Sequence, residues 1–132
     1  MGNDLSRPRM AVEKEKLVAQ FPGFRFYASN GRVSSIQGVL STSYGNAYNV
    51  KIEISPGYPY ELPTVWLPNV TVDSECPHRF SGGSLCVMRS DQWSTTFSLA
   101  FMVAKTALWL NKYDSWQRGG KRQWPGKDQH RT

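Results

Sequence analysis

The stretch that most restricts the fold lies near the end of the chain. From Leu99 to about Tyr113, apolar residues fall on nearly every side of a helix: Leu99, Phe101, Met102, Val103, Ala104, Ala107, Leu108, Trp109 and Leu110. A surface helix needs only one apolar stripe, so a helix like this one belongs in a core, here across the face of a sheet. It does not suit a bilayer, because the apolar-rich run Phe97 to Leu110 is too short to span one and contains Lys105. Ser98, just before it, is a good N-cap.

The sheet is written upstream. Phe24 to Ala28 places Phe24, Phe26 and Ala28 on one face. Asn30-Gly31 follows, a pair that tolerates the positive φ of a tight hairpin turn. Val33 to Leu40 reads as the second strand, weakened by Gly38, and Ser43 to Asn46 as the next turn. Tyr48 to Ile54 alternates Tyr48, Val50, Ile52 and Ile54 against Asn49, Lys51 and Glu53, and Thr64 to Leu67 makes a short fourth strand. Short links between successive strands favour an antiparallel meander. Before the sheet, Met10 to Gln20 reads as an amphipathic helix, with Ala11, Val12, Leu17 and Val18 inward and Glu13, Lys14, Glu15 and Lys16 in water. Phe21-Pro22-Gly23 ends it. Helix, four-stranded meander, loop and buried helix make an α+β plan in one domain, residues 1–132, of which 113–132 form a basic C-terminal extension.

Pro68 to Thr96 is irregular, and long irregular stretches in compact domains tend to be functional. This one holds Cys76, His78, Cys86 and Trp93. With no apolar secretory segment at the N-terminus, the chain is expected in the cytoplasm, where thiols stay reduced. Cys86 lies in Gly82-Gly83-Ser84-Leu85-Cys86-Val87-Met88, and glycines beside a cysteine let another backbone pass close to the sulfur. Three readings stand side by side. Cys86 is a small buried hydrophobe; or it pairs with His78, eight residues earlier, as nucleophile and base; or Cys76, His78 and Cys86 hold zinc, although structural zinc usually takes four ligands and the only other histidine is His130. No H-x-E with P-C-x-x-C, no G-x-S-x-G and no phosphate-cradling glycine loop occurs, so neither a metal nor another cofactor is expected. The charge of +6 gathers late, in Lys112, Arg118, Lys121, Arg122, Lys127 and Arg131 against Asp114 and Asp128. It reads as a solubilising tail or as a docking surface for an acidic partner.

The order of these features resembles the ubiquitin-conjugating enzymes from about Met10 to Tyr113. Tyr58-Pro59-Tyr60-Glu61-Leu62-Pro63 is similar to the family's Y-P-[FY]-x-x-P segment between the third and fourth strands. A histidine-bearing loop follows, then Gly83-Ser84-Leu85-Cys86 as the nucleophile segment, Trp93-Ser94 and a buried helix. There are departures. Where the eukaryotic enzymes carry the asparagine of His-Pro-Asn, this chain has His78 in Cys76-Pro77-His78, and Met88 replaces a frequent acid. The gap from cysteine to tryptophan is one residue shorter than in many eukaryotic members, and the last two family helices give way to the basic tail. With Trp109-Leu110 and Trp124-Pro125-Gly126, the chain resembles the prokaryotic branch found in CBASS anti-phage operons.

The resemblance implies an acyltransferase. Cys86 would carry a protein C-terminus as a thioester and pass it to an amine, His78 would support the oxyanion or take the amine proton, and Asp114, just past the buried helix, would help to receive the amine. The implied partner is a protein with a flexible C-terminus, a cyclic-oligonucleotide synthase (nucleotidyltransferase), together with a separate activating enzyme. The alternative is a non-catalytic adaptor on the same fold that holds a partner's tail. Nucleic-acid binding would rest on charge alone; neither nucleic acid nor membrane is expected as a partner.

Overall fold

The computed structural model describes residues 7–126; Lys127, Asp128, His130 and Arg131 lie outside the described residues. Helix α1 spans Arg7–Gln20 and is followed by strands β1 (Arg25–Ser29), β2 (Arg32–Ser41), β3 (Ala47–Glu53) and β4 (Thr64–Trp66). A 3₁₀ turn at Ser90–Gln92 precedes helix α2 (Leu99–Arg118). The four strands form one antiparallel sheet in the order β1-β2-β3-β4. This is the α+β meander that the alternation and turn chemistry imply.

Each turn has a local cause. Asn30 and Gly31 take φ of 55° and 75°, which closes the β1–β2 hairpin with Ser29 opposite Arg32. The register slips between Tyr27 and Ala28, and Ala28 is exposed rather than sharing the inward face of Phe24. Gly38 serves packing: a Cβ there would come within 2.5 Å of the buried Phe24 ring. Val50, Ile52 and Ile54 point into the core as the alternation requires.

α2 lies across the inner face. Leu99, Met102, Val103, Thr106, Trp109, Leu110 and Tyr113 recur at helical spacing and are buried, while Ala104 and Leu108 face out. Ser98 caps it, its hydroxyl accepting from the Phe101 N–H at 3.0 Å. The helix continues one turn past the expected end at Tyr113, so Asp114 and Trp116 are helical and buried.

α1 begins earlier than expected, and its inward face is different. Val12 and Val18 are exposed and so is Ala11; Leu17 is buried, and Glu13, expected in water, is only 1% exposed. The Glu13 carboxylate accepts from Arg9 Nε at 3.0 Å, from the Tyr58 hydroxyl at 2.6 Å and from the backbone N–H of Leu99 at 2.9 Å. The Leu99 N–H belongs to the first turn of α2, where helix donors lack partners and the dipole favours an anion. These charge-assisted bonds offset the cost of burying the carboxylate. They also tie α1, the Tyr58-Pro59 segment and α2 together at one point.

Candidate active site

The segment expected to be irregular contains a small hairpin. Arg79 pairs with Leu85, the Phe80 N–H donates to Ser84 O at 2.9 Å, and the Gly83 N–H donates to Phe80 O at 2.8 Å. Gly83 takes a φ of +99° at the tip, a conformation that side-chain-bearing residues rarely adopt. The register that pairs Arg79 with Leu85 sets His78 directly opposite Cys86, and the Cys86 N–H donates to His78 O at 3.0 Å. Residues opposite each other on antiparallel strands project to the same face. The hairpin is fastened on two sides. The Leu85 N–H donates to Val65 O of β4 at 2.9 Å, and the indole N–H of Trp109 on α2 donates to His78 O at 2.9 Å.

Cys86 is 4% exposed. Its Sγ lies 3.9 Å from Met88 O, burial pushes the thiol pKa above its ordinary value, and the charge of Arg89 works against that rise. Adding a Cβ at Gly82 or Gly83 would meet nothing within 4 Å, so open space flanks the tip of the hairpin. Cys76 is also buried, and desolvation drives its thiol up to about 11. Both cysteines are free thiols, and among the described residues no group of three or more His, Cys, Asp or Glu converges as a metal site.

The other expected residues divide. Trp93 hydrogen-bonds through its indole N–H to Pro59 O at 2.7 Å and packs beside Tyr58 and Phe97, so it braces the Y-P segment. His78 is 3% exposed, and its ring sits 4.9 Å from the ring of Trp124. Asp114 is not in a loop beyond the helix: it lies within α2, 3% exposed. Its carboxylate accepts from Tyr48 OH at 2.5 Å, Thr42 Oγ1 at 2.6 Å and Asn46 Nδ2 at 3.0 Å. Thr42 and Asn46 lie in the turn between β2 and β3, and Tyr48 lies in β3. In the sequence, Trp109 reads only as an apolar residue and a mark of the resemblance, with no hint of its bond to His78, and Asp73 is not singled out at all. The Asp73 side chain pairs with Lys121 at 2.5 Å, and its N–H donates to the Tyr113 hydroxyl at 2.9 Å.

A cysteine-bearing hairpin is thus held between a four-stranded sheet and a buried helix. The family model for the type II CBASS E2 protein matches residues 13–131. The chain belongs to the type II CBASS E2 family. Membership gives it a ubiquitin-conjugation-like role in CBASS and protein partners within that system. The solved complex of the Vps23 UEV with ubiquitin is similar to it with a TM-score of 0.52 and 20% identity, over 74% of this chain and 77% of that one. At that identity the likeness establishes the E2-like fold. No curated protein matches the chain. No helix among the described residues of this E2-family chain is long and apolar enough to cross a membrane.

Proposed function

We propose that this chain carries a protein C-terminus as a thioester on Cys86 and transfers it to an amine, with the cyclic-oligonucleotide synthase of its CBASS system as the protein acted on. The observation that carries the reading is the register setting Cys86 opposite His78 on a hairpin fixed by both β4 and α2. Cys86 attacks the carbonyl of an acyl thioester presented by a separate activating enzyme, its thiol proton passing to the departing sulfur. A new S–C bond forms and the activating enzyme's thiol leaves. An amine then attacks the Cys86 thioester through a tetrahedral oxyanion. Collapse breaks the S–C bond, the amine proton is lost to solvent or to His78, and an amide remains. His78 supports that oxyanion. The open flank at Gly82 and Gly83 suits an extended tail ending in a small residue.

A second reading, the adaptor that only grips a partner's tail, is favoured by one observation, the burial of Cys86 and its raised thiol pKa. Intact mass of the chain coexpressed with its operon separates the two. The enzyme should show a reductant-labile adduct that is abolished by Cys86→Ala, retained by Cys76→Ala, and converted to a reductant-resistant ester by Cys86→Ser. Truncating the last residues of the synthase should abolish the adduct. If no variant forms an adduct although the partner binds, the adaptor reading replaces the enzyme.

A further inference from the structure

The C-terminal segment does not leave the body where α2 ends. Gly120 and Lys121 take φ of 79° and 62°, the Lys121 N–H returns to Trp116 O at 2.9 Å, and the chain reverses. Lys121 Nζ then meets the Asp73 carboxylate at 2.5 Å, five residues before His78 on the same loop. Trp124 follows, half-buried, with ring centroids 4.9 Å from His78, 5.5 Å from Trp109 and 6.2 Å from Trp116. At Gly126 the segment lies beside Lys112, whose Nζ would sit 3.5 Å from a Cβ placed there. The strap thus crosses from the His78 loop back to α2.

Two tryptophans contact one histidine, Trp109 at its backbone carbonyl and Trp124 at its ring. Trp109 fixes its backbone by donating to the same carbonyl that accepts from Cys86. The ring of Trp124 lies against the imidazole, is backed by Trp109 and Trp116, and is brought there by the Lys121–Asp73 pair. Aromatic pairs at such separations prefer particular orientations.

We infer that Trp124 is a positioning residue, which sets the orientation of the His78 imidazole toward Cys86 and so makes the C-terminal strap part of the active site. The inference rests on the reading of His78 as the oxyanion-supporting side chain. A positioning error of about 1 Å can cost on the order of a hundredfold in rate.

The test loads the full-length chain chemically, using a short peptide ending in alanine supplied as its C-terminal thioester, and follows discharge to free lysine in a single turnover. Trp124→Ala should slow discharge by on the order of tenfold or more, while Trp124→Phe, which keeps a ring, should retain most of the rate. In a His78→Ala background, Trp124→Ala should change the rate by less than about twofold, since a residue that acts through His78 has nothing left to act on. The His78 ring-proton NMR signal should shift in Trp124→Ala, and an unchanged melting profile would exclude unfolding as the cause. If His78→Ala is slow while Trp124→Ala keeps the parental rate, the inference alone fails. It also fails if Trp124→Ala slows both backgrounds equally. If His78→Ala discharges at the parental rate, the assignment of His78 fails and takes the inference with it.

Discussion

Replacing Asp114 separates an anchor from a catalytic group. Its carboxylate takes hydrogen bonds from Thr42, Asn46 and Tyr48, and each donor has a different alternative when the acceptor is lost. Thr42 is buried, 7% exposed, and a hydroxyl left unsatisfied in such a place costs about 1–3 kcal/mol. Tyr48, half-buried, should cost roughly 1 kcal/mol, and exposed Asn46 almost nothing. Asp114→Ala should therefore destabilise the chain by about 2–4 kcal/mol, a Tm drop of roughly 10 °C for a domain of this size. Asp114→Asn keeps the shape and one acceptor oxygen and should cost about 1–2 kcal/mol. The Tyr48 phenol, raised by burial and then by its bond to Asp114, should ionise at lower pH in both variants. Thermal melts by circular dichroism give the stability, and single-turnover discharge well below either Tm gives the chemistry. The anchor predicts lowered Tm with near-parental discharge. Parental Tm with discharge slowed a hundredfold or so in Asp114→Asn would return the carboxylate to the reaction and refute the anchoring argument.

Three further outcomes follow from the packing. Glu13→Gln should destabilise by about 1–3 kcal/mol and Glu13→Ala by about 3–5, because Tyr58, Arg9 and the first turn of α2 share that carboxylate; urea midpoints at constant m-value would check it. Gly38→Ala should cost about 1–3 kcal/mol by driving a methyl into the Phe24 ring, and a parental urea midpoint would show that the ring yields freely. Stability should fall in alkali: the Cys76 thiol ionises near 9.0 when unfolded and about 11 when folded, and burial likewise raises the phenols of Tyr48, Tyr58 and Tyr113 above 10.0. The folded chain then holds protons that the unfolded chain has released, so the contribution is whole below pH 9.0 and is lost as pH climbs through 9.0 to 11 for Cys76, and above 10.0 for the tyrosines. A urea midpoint that does not drop between about pH 8 and about pH 10 would contradict it.

What the chain alone determines is what acts over short range. Asn30-Gly31 closes a hairpin because of its own φ preferences, Val50 to Ile54 alternate because a strand has two faces, and Ser98 caps α2 three residues away. Leu99 to Leu110 belongs in a core because most of its sides are apolar, although Ala104 and Leu108 end up facing water. The family segments around Tyr58, Cys86 and Trp93 are equally local, so the nucleophile candidate could be named from order and spacing. What the tertiary structure decided joins residues far apart in sequence. Glu13 reads as a solvent-facing charge in its helix, yet it is buried because the N–H of Leu99, 86 residues away, waits for an anion. Asp114 reads as a group just past a helix, yet it lies inside that helix and binds Thr42, 72 residues away. The partners of His78, Trp109 on α2 and Trp124 on the returning strap, follow from where the sheet, the buried helix and the reversal at Gly120-Lys121 place them. A carboxylate or an indole carries no mark of its partner in its own neighbourhood; the desolvation that makes such pairing necessary exists only once the core has closed around it.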